Sequence, residues 1–146
     1  MVGTDGLAGT ALIEFAVIAP LLFLFMIYIM DFGLFIWTEM EVQNAVQAGA
    51  QFAIANGYSS SAITSAVQNV TTFTTISASP APTQFYGCPS NSGVTSVAQG
   101  STCSDGAGAG QYVTVSASAT YNTLIISNIF TSSTYPLTAT ATVRTQ

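Results

Sequence analysis

The chain has 146 residues, 49% of them hydrophobic and only 5% charged, with a formal net charge of −5. Arg144 is its one basic side chain and it has no histidine, so no basic patch for nucleic acid or anionic lipid can be built. The six acids are scattered and neither His nor Lys is present to activate a serine, which argues against acid–base and triad catalysis. The chain is therefore not read as an enzyme, and no cofactor or metal is expected. Polarity rests on Ser, Thr, Asn and Gln, whose hydrogen bonding hardly changes with pH or salt. An exposed extracellular surface fits this, as does a chain adapted to acid surroundings.

The first stretch, residues 1–9, is short, small and Gly-rich. It has neither the basic start nor the small-residue cleavage site of a secretory signal peptide. From Gly9 the chain turns apolar, and Phe15 to Met30 contains no charged residue. A helix needs about twenty residues to cross a bilayer of about 30 Å hydrocarbon thickness, and this stretch is long enough. It is apolar on all sides. Glu14 stands near its start, where a carboxylate in lipid is costly without a cationic partner. Pro20 removes one helical hydrogen bond and predicts a kink.

The helix is expected to run on. Val42, Ala45, Val46, Gly49, Ala50, Ala53 and Ile54 recur at three- and four-residue spacing, a narrow apolar stripe on an amphipathic helix. Its small residues let another backbone approach closely. Asn56-Gly57 predicts the stop. The result is one helix over 10–57, its first half in membrane or filament core and its second half packed on a head.

The junction Gly9-Thr10-Ala11-Leu12-Ile13-Glu14-Phe15 resembles the processing site of type IV pilins and pseudopilins. With Glu14-Phe15-Ala16-Val17 through Pro20, Asp31-Phe32-Gly33, Asn44-Ala45 and Ala48-Gly49-Ala50-Gln51-Phe52-Ala53, the first sixty residues resemble the TadE-like family of the tight-adherence pilus system. The resemblance implies cleavage between Gly9 and Thr10 by a prepilin peptidase. It also implies pairing of Glu14 with the new N-terminal amine of a neighbouring subunit. Pro20 and Glu14 together then serve subunit docking. The leader departs from the family pattern, holding Asp5 where basic residues are usual.

Beyond Gly57 lies the expected head, residues 58–146. Ser59-Ser60-Ser61 offers an N-cap to a short helix with Ala62, Ile63, Ala66, Val67 and Val70 at helical spacing. Asn69-Val70-Thr71 matches a glycosylation sequon. Residues 71–79 are rich in β-branched side chains and suit a strand or an extended loop. Pro80, Pro82, Pro89 and the glycines through Gly110 read as a long loop region. Within it, Cys88 and Cys103 lack the spacing of a redox or metal pair. Outside the cytoplasm they are expected to form a disulfide, with two free thiols as the competing reading.

Apolar and hydroxyl residues alternate over 113–121 and again over 137–143, which predicts two strands with one face on a core. Leu124, Ile125, Ile126, Ile129 and Phe130 between them form an apolar patch. The expected fold is α+β and type IV pilin-like: a long N-terminal hydrophobic helix running into a small head with an antiparallel sheet.

Two function classes follow. One is a structural pilin or pseudopilin subunit of an extracellular filament. Its partners would be further copies in a helical homo-oligomer, other pilins, the prepilin peptidase and assembly machinery, and the cytoplasmic membrane before assembly. The other is a monomeric membrane-anchored surface protein with a ligand-binding head. Glu14 and Pro20 separate them, because a mere anchor needs neither.

Overall fold

A computed structural model describes residues 5–71, 75–123 and 134–145, with side chains from residue 12 onward. One helix, α1 (Asp5–Asn56), precedes a short helix α2 (Ser60–Asn69) and four strands: β1 (Thr83–Ser90), β2 (Gly93–Val97), β3 (Gly110–Asn122) and β4 (Thr134–Arg144). The strands form one antiparallel sheet in the order β2-β1-β3-β4. The architecture is the α+β, pilin-like one expected, a long apolar helix feeding a small sheet-bearing head.

Helix α1 begins at Asp5, so helical backbone extends over half of the stretch read as a leader, and it continues through Pro20 without a break. It ends where expected. Gly57 adopts φ +78°, a left-handed conformation open to Gly at no steric cost, and its N–H donates to the Ala53 carbonyl at 2.9 Å. Tyr58 then donates its hydroxyl to the Pro82 carbonyl at 2.9 Å, tying the helix end to the start of β1. Ser59 is the N-cap of α2 and its carbonyl accepts the Ile63 N–H at 2.9 Å. The Ser59 hydroxyl makes no capping bond.

The core lies between the second half of α1, helix α2 and the inner face of β3 and β4. Val42, Ala45, Val46 and Ala53 from α1 meet Ile63 and Val67 of α2 and Val113, Val115, Ala117, Ala119 and Leu137 of the sheet. Small side chains on α1 make this close approach possible. At Gly49 an added Cβ would sit 2.6 Å from Val67 Cγ2 and 2.9 Å from Val115 Cγ1. The expected stripe is thus the packed face, with one exception. Ile54 is 55% exposed and lies off the core.

Strands β3 and β4 fall where the alternation put them. The outer face of β3 is drier than a solvent face, because β3 is a central strand. Ser116 is buried and hydrogen-bonds Thr140 at 3.2 Å, while Thr114 bonds Thr142 at 3.0 Å. Tyr112 is buried too, stacked on Phe85 with ring centroids 5.8 Å apart.

The reading of 80–110 as a long loop is corrected. It contains the hairpin of β1 and β2, closed between Ser90 and Gly93. Gly87 and Pro89 break up any apolar alternation in β1, so periodicity could not reveal it. The strand is held by backbone pairing instead, with Phe85 opposite Tyr112 and Gly87 opposite Gly110. Pro89, which lacks an N–H, lies beyond the last residue paired with β3 and so costs that ladder nothing. The apolar patch at 124–130 lies outside the described residues.

Candidate functional site

Exposure divides α1 in two. From Leu12 to Met30 nearly all of its large apolar side chains face outward, Phe23 at 65% among them, whereas Ala45 on the packed half is fully buried. The helix is long and apolar enough to cross a bilayer by length and composition. Leu12 to Met30 alone would reach about 28 Å at ~1.5 Å per residue. Fully burying one large apolar side chain is worth about 1.5–3 kcal/mol, so this half is a surface waiting for lipid or for other helices.

Glu14 and Pro20 both lie exposed within that half. Among the described residues the Glu14 side chain has no hydrogen bond or ion pair. Gly9 and Thr10 stand on the same helix one to two turns earlier, inside its backbone ladder. Pro20 lacks the N–H that would bond the Ala16 carbonyl.

The remaining sequence-level sites lie elsewhere. Cys88 on β1 and Cys103 in the β2–β3 connection form a disulfide with Cα atoms 5.5 Å apart, fifteen residues apart in sequence. Closing such a loop is worth about 3 kcal/mol in the chain-entropy model. The Cys103 turn is shaped by the Cys103 N–H on the Ala107 carbonyl (2.8 Å) and by Asp105 Oδ1, which accepts the Ala107 N–H at 3.0 Å. Asn69 is the exposed last residue of α2.

A second feature sits where the exposed half of α1 meets the head. Asp31 is only 6% exposed. The Tyr121 hydroxyl, from β3, donates to the Asp31 carboxylate and lies 3.0 Å from the Asp31 backbone carbonyl. Burial, then the hydrogen bond to Asp31 and its negative charge, push the Tyr121 phenol up to about 12. Phe35 meets Tyr121 edge-on at 5.6 Å and Tyr135 edge-on at 6.0 Å. These residues, with Tyr28, Phe32 and Thr123, line a cleft of about 250 Å³. The Thr123 hydroxyl is buried in it and has no hydrogen-bond partner among the described residues. Sequence reasoning gave Asp31 no role. Its signal was present: it is the one acid between Glu14 and Glu39, and a carboxylate in an apolar run calls for a partner.

Compared with known proteins, residues 9–51 match the family model described as TadE-like protein. The match starts at the Gly9–Thr10 junction and ends within the packed stripe of α1, before α2 and the sheet. The matched family is one of structural, pseudopilin-like proteins associated with the tight-adherence pilus. No curated protein and no solved structure matches the chain.

Proposed function

We propose that the chain is a structural pilin or pseudopilin subunit of a type IV, tight-adherence-like pilus or extracellular filament. One observation carries this reading: a single helix is exposed and apolar over its first half and locked into the head over its second. Such a helix can leave a bilayer and enter a helical bundle while the head stays outside, with no hinge between the two.

On this reading the prepilin peptidase cuts between Gly9 and Thr10, and the new Thr10 amine meets Glu14 of a neighbouring copy. A carboxylate in an apolar surrounding is stabilised by such a pairing and is costly without it. Pro20 leaves a free carbonyl and a point of bending in the bundle. The chain waits in the cytoplasmic membrane and then joins copies of itself, or other pilins, outside the cell. The exposed Asn69 would carry any glycan on the head's surface.

The test is Glu14→Ala. Insertion depends on total apolarity, which this change increases, whereas docking loses the partner of the incoming amine. The membrane pool should stay normal while assembled subunits fall sharply, and Glu14→Asp, one methylene shorter, should give a partial loss. Assembly equal to wild type in Glu14→Ala would favour a monomeric membrane-anchored protein with a binding head.

A further inference from the structure

The sheet ends in two edge strands, β2 and β4, with no further strand beyond either among the described residues. Hydrogen bonding across the sheet fixes which backbone groups point out of those edges. Ser77 and Ser118 exchange backbone hydrogen bonds of 2.9 Å on the side of β3 away from β4. Antiparallel strands bond through alternate residues, so Ser116 and Thr114 also turn away from β4, while Val113, Val115, Ala117 and Ala119 turn toward it. The Thr145 N–H on the Gln111 carbonyl, at 2.9 Å, keeps the same alternation. On β4 the residues opposite these are Val143, Ala141, Ala139 and Leu137. Thr138, Thr140 and Thr142 therefore aim their N–H and carbonyl groups out of the sheet. The same alternation carried across β1 leaves Val94 and Ser96 aiming theirs out of the β2 edge.

Such edges are usually blunted by Lys, Pro or a bulge. Here Pro136 and Arg144 stand at the two ends of the β4 edge, and Leu137 to Val143 between them hold no charge and no proline. Pairing with β3 runs through this stretch without a bulge. Strand β2, five residues long and equally free of charge and proline, fits within it.

Strand polarity names the occupant. With four antiparallel strands, β2 and β4 run in opposite directions. A second copy held the same way up thus offers its β2 antiparallel to β4 of the first. The faces match as well. Thr138, Thr140 and Thr142 lie on the outer face, and Ser96 lies in line with Gly110 through Gly87 on that same face. A two-fold pairing of β4 with β4 would point the two α1 helices in opposite directions, which a shared membrane forbids.

We propose that subunits join through their sheets, β4 of one pairing with β2 of the next in a continuous antiparallel sheet. This rests on the filament reading above. Keeping all of β2 against Leu137 to Val143 sets Ser96 opposite Thr140 or Thr138. Ser96 lies level with Gly110, Thr140 with Ser116 and Thr138 with Ser118. The copy giving β2 therefore sits about 20–27 Å nearer the membrane, at ~3.4 Å per residue. Strand β3 runs alongside α1, with Tyr121 at Asp31 and Val115 at Gly49, so this step lies mostly along the helix. Two copies at equal depth in one bilayer cannot reach the register. The edges pair once one subunit has been raised from the membrane, and the repeated step builds a helix rather than a ring.

The test is disulfide trapping in sheared filaments. A hydrogen-bonded antiparallel pair holds its Cα atoms about 5.5 Å apart, inside the range a disulfide spans. Within one chain the two edges lie more than about 14 Å apart across β1 and β3, out of bridging range. Ser96→Cys combined with Thr140→Cys or with Thr138→Cys should give a ladder of multimers on mild oxidation in one of the two combinations. Each single variant should stay monomeric, and so should the membrane pool of both doubles. Ser96→Pro removes an outward N–H without touching the β1 ladder and should lower assembled subunits about tenfold, whereas Ser96→Ala should assemble normally. Near-UV circular dichroism checks that the proline variant folds, and the trapping result decides alone where it does not. Filaments that contain the chain yet give no ladder in either double overturn the edge pairing and leave the filament reading intact. A dimer from Thr140→Cys alone overturns it in favour of a two-fold β4 pair, and an equal ladder in the membrane pool overturns the step. Absence of the chain from every filament overturns both readings.

Discussion

The two halves of α1 are equally helical and equally poor in charge, yet they do opposite things. In the first half the apolar side chains are large, Leu, Ile, Phe and Met, and they surround the axis. In the second the fully buried ones are small, Val, Ala and Gly, and they form one stripe. Small residues bring backbones together, and at Gly49 helix α2 and strand β3 come within a methyl group of the helix. Large residues on every side cannot do this within one chain of this size. Hydrophobicity alone therefore does not say whether a helix is core or interface. The size and angular spread of its apolar residues do.

The sharpest way to break the comparison is one truncation in each region. Ile63 is fully buried against the packed half of α1. Ile63→Ala should cost the head roughly 2–5 kcal/mol in thermal or denaturant unfolding. Ile18→Ala, on the exposed half, should leave head stability unchanged. Equal effects would mean that the two halves are not separate surfaces.

Two glycines on the same helix give a finer version. Gly49→Ala places a methyl group against Val67 and Val115. Overpacking of roughly 1–3 kcal/mol should outweigh the gain of about 1 kcal/mol in helix propensity. At Gly33 an added methyl meets nothing within 4 Å, so Gly33→Ala should keep the propensity gain and lose nothing. Chemical denaturation of both variants decides it, and a destabilised Gly33→Ala would expose a packing contact on the exposed half.

The smallest effect concerns the seam between the halves. Tyr121→Phe removes the hydroxyl from Asp31 and should cost about 1 kcal/mol, the scale of one hydrogen bond at a half-buried site. The sign of its pH dependence follows from the raised phenol. A folded-state value of about 12 lies above the ordinary ~10. The stabilisation is then fully present below pH ~10 and lost as pH rises toward ~12. An alkaline unfolding profile of wild type should fall through that window, and Tyr121→Phe should flatten it.

Much of this division was legible in residue patterns. Small residues at three- and four-residue spacing marked the packed stripe, and unbroken apolar–hydroxyl alternation marked β3 and β4. Asn56-Gly57 placed the helix end. The hairpin β1–β2 escaped because backbone pairing, which no side-chain period reports, holds a strand containing Gly87 and Pro89. Ile54 was assigned to the stripe because spacing alone does not say how wide the buried face is. The Asp31–Tyr121 bond joins residues ninety positions apart, a juxtaposition that only the packing of α1 on the sheet creates. Ser116 was expected on a wet face because the strand order, which makes β3 central, was not visible in the chain.

The claim that matters most is that the exposed half of α1 is an assembly surface. Filaments sheared from cells expressing the chain, imaged and then analysed by mass spectrometry of their subunits, test it directly. The account predicts filaments containing this chain, its N-terminus at Thr10 and Cys88 bridged to Cys103. Preparations in which the chain stays in the membrane fraction, starts at Met1 and is absent from every filament would contradict it.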